Sequence, residues 1–264
     1  MVEALPPANS FFMKMKMLLG ILLSMCLGQL VKAQEAMFFT TGRIEFEKRT
    51  NVHAVLKEMN KDDPDNGWVQ LQLQRLPQFT TQYFDCWFTD SITLYRPGRE
   101  SPDMKNAREF PANDNIVYNV LSSGRTVSQK HVFEQTFLIQ DSLRNISWKI
   151  TDERRNIAGF DCRRANAVIM DSIYVVAFFT DQIIPPGGPE SFTGLPGMIL
   201  GVALPHEHIT WFATKVLVES IPADQLLPQK KGKKVTREQL HNDLSAALAE
   251  KGNYGKYYIK FAEL

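Results

Sequence analysis

The sequence predicts a mainly β protein, a curved antiparallel sheet or half-barrel with one helix packed against it near the C-terminus. Three observations predict it. Apolar and polar residues alternate with period two through most of the chain after Phe38, as in strands with one buried face. Short polar turn signals recur at even spacing between those runs. One stretch, Thr236–Lys251, instead carries leucines at helical spacing behind a capping box.

With 264 residues, 44% hydrophobic and 22% charged, the chain can bury a sizeable core. A formal net charge of +1 leaves no electrostatic footprint for nucleic acid. The short cluster Lys230, Lys231, Lys233 and Lys234 reads as a solvated loop.

The first residues read as an address. Lys14 and Lys16 precede the apolar run Met17–Leu27, and Val31-Lys32-Ala33 sets small residues at the −3 and −1 positions before Gln34. That order describes a secretory signal peptide over residues 1–33, cleaved between Ala33 and Gln34. The run is too short to span a bilayer, which takes about 20 apolar residues. Leu23-Ser24-Met25-Cys26 is only a partial lipobox, with Met25 where a small residue belongs, so a lipoprotein is the less favoured form. The expectation is one exported β-rich domain over 34–264, periplasmic or extracellular, with no transmembrane span.

Taken in order, Phe38–Lys48 reads as a first strand, and Asn51–Met59 fits either a short helix or its continuation. Asp62–Gly67 is a turn by chemistry. Phe79–Thr89 and Ile92–Tyr95 form a hairpin around Asp90-Ser91, and the polar Arg96–Asn115, with three prolines, is a long exposed loop. Strands Ile116–Leu121 and Val127–Ile139 flank Ser122-Ser123-Gly124. Ile146–Thr151 and Ile157–Ala165 flank a charged turn at Asp152–Asn156. Asn166–Met170 and Ile173–Thr180 flank Asp171-Ser172, and Met198–Leu204 and Ile209–Glu219 close the series. In the helix, Thr236 and Gln239 make the capping box, Leu240, Leu244 and Leu248 share a face, and Lys251-Gly252 ends it. Tyr257–Phe261 reads as a last strand.

Cys86 and Cys162 remain once Cys26 leaves with the signal. In an oxidising compartment two cysteines imply one disulfide, two buried thiols being the other reading.

Residues 185–201 pack four Pro and five Gly into one run, with Phe192, Leu195 and Met198 as its apolar side chains. Pro presets φ and Gly supplies positive φ, so the backbone here is shaped. Leu195-Pro196-Gly197-Met198 reads as a type II turn. The pattern Gly-Pro-x-x-Phe-x-Gly-Leu-Pro-Gly-Met-Ile-Leu at Gly188–Leu200 resembles the hallmark of the GLPGLI family. Trp148–Glu153 with Ile157–Ala165, and Tyr174–Ile183, resemble two further blocks of that family, so the resemblance covers about residues 120–220. Met198 and Gly201 depart mildly from the usual Leu and Glu. The resemblance implies a bacterial envelope protein, and it transfers no catalytic residue, because no activity is established for the family.

Standard catalytic signatures are absent from the sequence, and nothing calls for a cofactor. His206-Glu207-His208 is the sharpest metal-like feature: on a strand the two His would share a face about 7 Å apart. An exposed polar turn after Pro205 explains the trio equally well. Trp87, Trp148 and Trp211 with Phe178, Phe179 and Phe192 read as core, or as the lining of an apolar groove. The functional expectation is a non-enzymatic binding module for an apolar ligand or an outer-membrane protein. Its contacts would be Phe192, Gly194, Leu195, Pro196, Gly197 and Met198. The alternative is a metal-dependent envelope enzyme using His206 and His208.

Overall fold

Alternation of buried and exposed side chains builds a single twelve-stranded sheet. The computed structural model describes residues 37–63, 65–102 and 113–264. The signal peptide, its Ala33–Gln34 cleavage site, Cys26 and residues 103–112 of the polar loop lie outside the described residues. The strands are β1 (Gly42–Asn51), β2 (Phe79–Phe88), β3 (Ile92–Pro97), β4 (Ile116–Val120), β5 (Arg125–Val132) and β6 (Gln135–Ser142). They continue as β7 (Lys149–Ile157), β8 (Phe160–Ile169), β9 (Ile173–Thr180), β10 (Met198–Leu204), β11 (Ile209–Leu217) and β12 (Lys233–Val235). Their order is β12-β6-β5-β4-β3-β2-β1-β11-β10-β9-β8-β7. Every pairing is antiparallel except the short β12–β6 ladder. The mainly β reading therefore holds, and the sheet stays open at β12 and β7.

Both open edges are blunted. β12 has three residues, two of them lysines, and β7 carries Lys149, Asp152, Glu153, Arg154 and Arg155 with a register shift between Ile150 and Arg154. Short, charged or bulged edges resist pairing with another chain.

One face of the sheet is covered by helices and by the Pro/Gly-rich run. Asn51 ends β1 and also caps helix α1 (Val52–Met59), its side chain accepting from Ala54 N at 3.1 Å. Such a cap contributes about 1 kcal/mol. Val52, Val55, Leu56 and Met59 form the buried stripe of α1, which resolves the Asn51–Met59 ambiguity as a helix. Helix α2 (Gly67–Arg75) buries only Val69 and leaves Trp68 and Leu71 exposed. Its Trp68, Val69, Leu71 and Leu73 show no clear helical stripe, so no periodicity marks it.

At the C-terminus the capping box forms as expected, Gln239 N donating to Thr236 Oγ1 and Thr236 N to Gln239 Oε1. Helix α3 (Arg237–Ala247) sets Leu240 and Leu244 against Val132, Phe137, Ile139 and Val235. The chain does not stop at Gly252. A 3-10 turn at Ala249–Lys251 leads into helix α4 (Gly252–Glu263), so the strand expected at Tyr257–Phe261 is helical. Tyr257, Tyr258, Phe261 and Ala262 recur at helical spacing and are all buried, which a strand with one dry face would not achieve. Among the described residues no helix is long and apolar enough to cross a membrane.

Turns account for most other departures. Val127–Ile139 is not one strand: it breaks at Phe133-Glu134 into the β5–β6 hairpin, where Phe133 takes φ +55 without any Gly, Pro, Asn or Asp to announce it. Asp152–Asn156 is strand, and the chain reverses at Ala158-Gly159, both at positive φ. That pair gives the backbone twist a tight hairpin needs.

The disulfide expectation is corrected: Cys86 and Cys162 are free, buried thiols. They sit on β2 and β8, five strand positions apart, about 24 Å along a flat sheet at ordinary strand spacing. A disulfide needs Cα atoms within about 7 Å. Cys86 Sγ instead donates toward Gly188 O at 3.8 Å, and Cys162 Sγ toward Phe160 O at 3.5 Å. Burial pushes both thiols up to about 12.

Two outcomes are expected. Neither Cys86 nor Cys162 should react with iodoacetamide in native protein at pH 8, and both should alkylate in urea. Because each folded-state pKa is raised, their contribution to stability is complete below the unfolded thiol value and lost as pH climbs through about 12. A Cys86→Ala/Cys162→Ala variant should show a shallower alkaline loss of stability. Second, Glu207, 0% exposed, pairs with Lys260 of α4 and thereby ties that helix to the β10–β11 turn. Urea denaturation of Glu207→Ala should show a loss of about 2–4 kcal/mol, because the orphaned Lys260 is partly buried. The exposed His206→Ala should stay within about 0.5 kcal/mol.

Candidate functional site

The Pro/Gly-rich run lies in the core rather than on the surface. Phe192, Leu195 and Met198 are 0%, 1% and 0% exposed and belong to the main apolar cluster, and Gly197 is buried too. Of the six expected contacts only Gly194 and Pro196 face solvent. The apolar groove is thus filled by the run itself, and the side chains expected to grip a ligand instead grip the sheet. Phe192 packs on Trp211 with ring centroids 6.0 Å apart.

Glycine makes that seating possible. A Cβ at Gly197, where φ is +132, would lie 2.1 Å from Thr180 O; one at Gly188 would lie 2.7 Å from Phe192 O and 2.8 Å from Ile199 Cβ. The run then threads between strands by its own backbone. Met198 N donates to Ile183 O, Ile199 N to Gly187 O and Gly194 N to Pro186 O, at 2.9, 2.9 and 3.2 Å. The expected type II turn is tighter than that: Gly197 N bonds Leu195 O at 2.8 Å, a three-residue turn, which frees Met198 N to reach Ile183. Trp148 Nε1 donates to Thr193 O at 2.9 Å and pins the middle of the run.

Seated this way, the run carries an acid into the interior. Glu190, 2% exposed and at φ +51, accepts from Asn115 Nδ2 at 2.9 Å through Oε2. Around it lie Lys48 of β1, Tyr95 of β3, Trp211 of β11 and Lys130 of β5, all buried. Burial pulls the Lys48 ammonium below its ordinary value, opposed by the charges of Glu190 and Asp114. Burial likewise lowers Lys130, to about 8, with Glu190 opposing and Arg144 assisting. Burial, then the charge of Glu190, raises the Tyr95 hydroxyl well above its usual value. The indole N–H of Trp211 pulls the other way without reaching hydrogen-bond geometry. Sequence reading missed this nest, because its members come from six separated segments and no spacing links them.

Beside the nest is a cleft of about 370 Å³ between the middle of β2, the end of β3 and Asn113-Asp114. Gln82, Tyr83, Phe84, Arg99 and Asn113 are among its walls. Phe84 joins the two: it lines the cleft, stacks on Tyr95 at 4.8 Å and 9°, and lies under Lys48 Nζ at 5.8 Å.

His206 and His208 are not on a strand. Pro205–His208 is the turn between β10 and β11, with His206 exposed, Glu207 buried and His208 at φ +61. The alternation that would align two imidazoles on one face therefore does not apply. Among the described residues, no three His, Cys, Asp or Glu side chains gather as a metal-ligand set.

The two kinds of glycine in the run are separable by mutation. Gly197→Ala meets backbone at 2.1 Å and should cost more than about 3 kcal/mol or abolish folding. Gly194→Ala, at φ +92 but with nothing nearer than 3.8 Å, carries backbone strain alone and should cost about 1–2 kcal/mol. Equal losses in thermal or urea melts would contradict this assignment of roles.

The chain is similar to known proteins over part of its sequence and in its fold. A family model described as "Protein of unknown function (Porph_ging)" matches residues 166–201, which take in the end of β8, all of β9, the run and the start of β10. No curated protein matches the chain. Two solved structures of PNGF-II, in different space groups, are similar in fold. One has a TM-score of 0.50 at 13% identity, covering 77% of this chain and 33% of that one. The other has a TM-score of 0.48 at 14% identity, covering 83% and 33%. At such identity the likeness to the first shows the fold alone, and the chain spans about a third of the length of the protein it matches.

Proposed function

We propose that the protein is an exported cell-envelope component of the GLPGLI type and acts as a non-enzymatic module that binds another envelope protein. The N-terminal charged, apolar and small-residue order supports export. The likeness to part of a longer chain is in keeping with a module. The partner, rather than an apolar ligand, is favoured because the run and the helices already occupy the covered face of the sheet.

One observation carries the binding reading. On the other face, Phe79, Tyr83 and Trp87 stand in a row along β2, each under a guanidinium: Arg49 lies 4.2 Å from the Phe79 ring, Arg99 3.2 Å from Tyr83, and Arg96 4.0 Å from Trp87. Phe79 is 38% exposed and the other two rings are half-buried. Among the described residues none of these three arginines is in an ion pair, whereas Arg43 beside them is bound to Glu45, Asp85 and Glu219. Aromatic and arginine side chains held rigid at a surface are the residue types that dominate protein interfaces.

Fractionation of the native host should place the protein outside the cytoplasm, beginning at Gln34; an intact residue 1–33 segment on cytoplasmic protein would sink the export reading. A photo-crosslinker at Phe79 should capture one discrete envelope protein. Trp87→Ala with Arg96→Ala should weaken that capture at least tenfold while the protein still folds. Diffuse labelling, or labelling indifferent to those changes, would overturn the partner reading.

A further inference from the structure

The face of the sheet that carries the aromatic row is more apolar than a solvated face requires. Tyr95 of β3 and Val117 of β4 pair in register and both belong to the main core. Ile92 and Leu94 of β3, and Ile116, Tyr118 and Val120 of β4, therefore point the other way. In register they build a row across four strands, Trp87–Leu94–Tyr118–Val127. An antiparallel sheet with one wet face puts polar residues at such positions. Leu94 and Leu138, which face this side, are nonetheless 1% exposed, and neither belongs to the two apolar clusters.

The connection from β11 to β12 supplies their cover. β11 lies beside β1 and β12 is the far edge, seven strand steps away, about 34 Å at ordinary spacing. Residues 218–232 make that crossing with at most about 50 Å of extended chain, which leaves little room for a detour. Both ends are tied to this face. Arg43 Nε, next to Trp87, donates to Glu219 Oε1 at 3.1 Å, and Gln129 Nε2 of β5 donates to Lys231 O at 2.8 Å. Among the described side chains between them only Leu226 is buried, at 6%, and it too belongs to neither cluster. Its neighbour Leu227 is 56% exposed. Connections this long within a compact domain are usually functional.

We infer that residues 218–232 are a displaceable strap, seated by Leu226 on the Leu94–Tyr118 row, and that the partner of the aromatic row inserts an extended segment with an aliphatic side chain in Leu226's place. A segment held by one buried side chain and its two ends belongs to the part of a fold that opens most readily. The covered row is continuous with the partner site, because Trp87 belongs to both. The exchange rests on the partner reading; the strap itself rests on the sheet order and burial alone.

The test uses the dye bis-ANS, which reports exposed apolar surface, and a fluorescent synthetic peptide of residues 218–229. Leu226→Asp should keep the circular dichroism of the parent, give at least threefold more dye fluorescence, and bind the peptide saturably. The parent, its row covered, should bind the peptide at least tenfold more weakly, and a peptide carrying Leu226→Asp should not bind. Leu227→Asp, at the exposed neighbour, should match the parent. If Leu226→Asp does not fold, Leu226→Ala takes the same measurements, and unfolding of both overturns the strap by making Leu226 an ordinary core residue. The strap is equally overturned if the variants at 226 and 227 give equal dye signals, or if the dye binds and the peptide does not. With the photo-crosslinker at Phe79, partner capture should rise at least threefold in Leu226→Asp. Unchanged capture overturns the exchange and leaves the partner reading standing. Absence of capture from parent and variant alike, with dye and peptide behaving as expected, overturns the partner reading and the exchange with it, and upholds the strap.

Discussion

The structure depends on how closely one loop approaches one sheet. Gly187, Gly188 and Gly197 bring the run so near to Thr93, Ile199 and Thr180 that none of the three has room for a side chain. This contact does more than close a turn. It fills the covered face between the helices and β9–β10, and it fixes the Ile199–Gly201 irregularity at which β10 slips against β9. It also offers Thr193 O to Trp148 and carries Glu190 inward. A shaped backbone can do this at little entropic expense, because Pro removes freedom from the unfolded chain as well as from the folded one. The Pro/Gly-rich motif is thus first a packing device, and any binding must occur around it rather than on it.

Much of the fold was legible because its signals are local. The alternation in β1 survives intact, the apolar runs of β9 and β10 are strands buried on both faces, and Thr236 with Gln239 marks the start of α3 to the residue. What failed was also local but lacked a chemical marker. Phe133 adopts positive φ in the β5–β6 turn without the usual small or polar residue, its ring held by stacking on Tyr258 at 4.4 Å. That contact is tertiary, so no reading of residues 127–139 could supply it. Tyr257–Phe261 is short and aromatic enough to pass for a strand, and only packing on both sides makes it a helix.

The site was less legible, for a related reason. Apolar side chains in a Pro/Gly loop look alike whether they face solvent or core, and Phe192 and Leu195 went to the core. The disulfide reading had the same weakness: two cysteines and an oxidising compartment say nothing about the order of strands, which puts four others between β2 and β8. Glu190, Lys48, Tyr95 and Trp211 are individually unremarkable in sequence. Only the sheet order β3-β2-β1-β11, with the run laid across it, brings them together.

Two buried lysines in one interior call for separate explanations, and they receive different ones. Lys130 Nζ donates to Ala262 O at 3.1 Å, and Arg144 Nη2 donates to Glu263 O at 2.7 Å. These are carbonyls of the last turn of α4, which no intrahelical donor can reach. Cations there also complement the negative end of the helix dipole, so Lys130 and Arg144 form a cap built from the sheet. With Ser191 Oγ donating to Leu264 O at 2.6 Å, the Pro/Gly-rich run joins the same cap. Lys130 is therefore accounted for by the fold. Lys48 ends no helix; the charge of Glu190 opposes the burial that lowers it, and its hydrogen-bond acceptor is the Asn113 amide. Well-packed apolar residues in place of a buried charge are often neutral or stabilising. Lys48 is held against that gradient by the charge of Glu190, which the Pro/Gly-rich run carries inward.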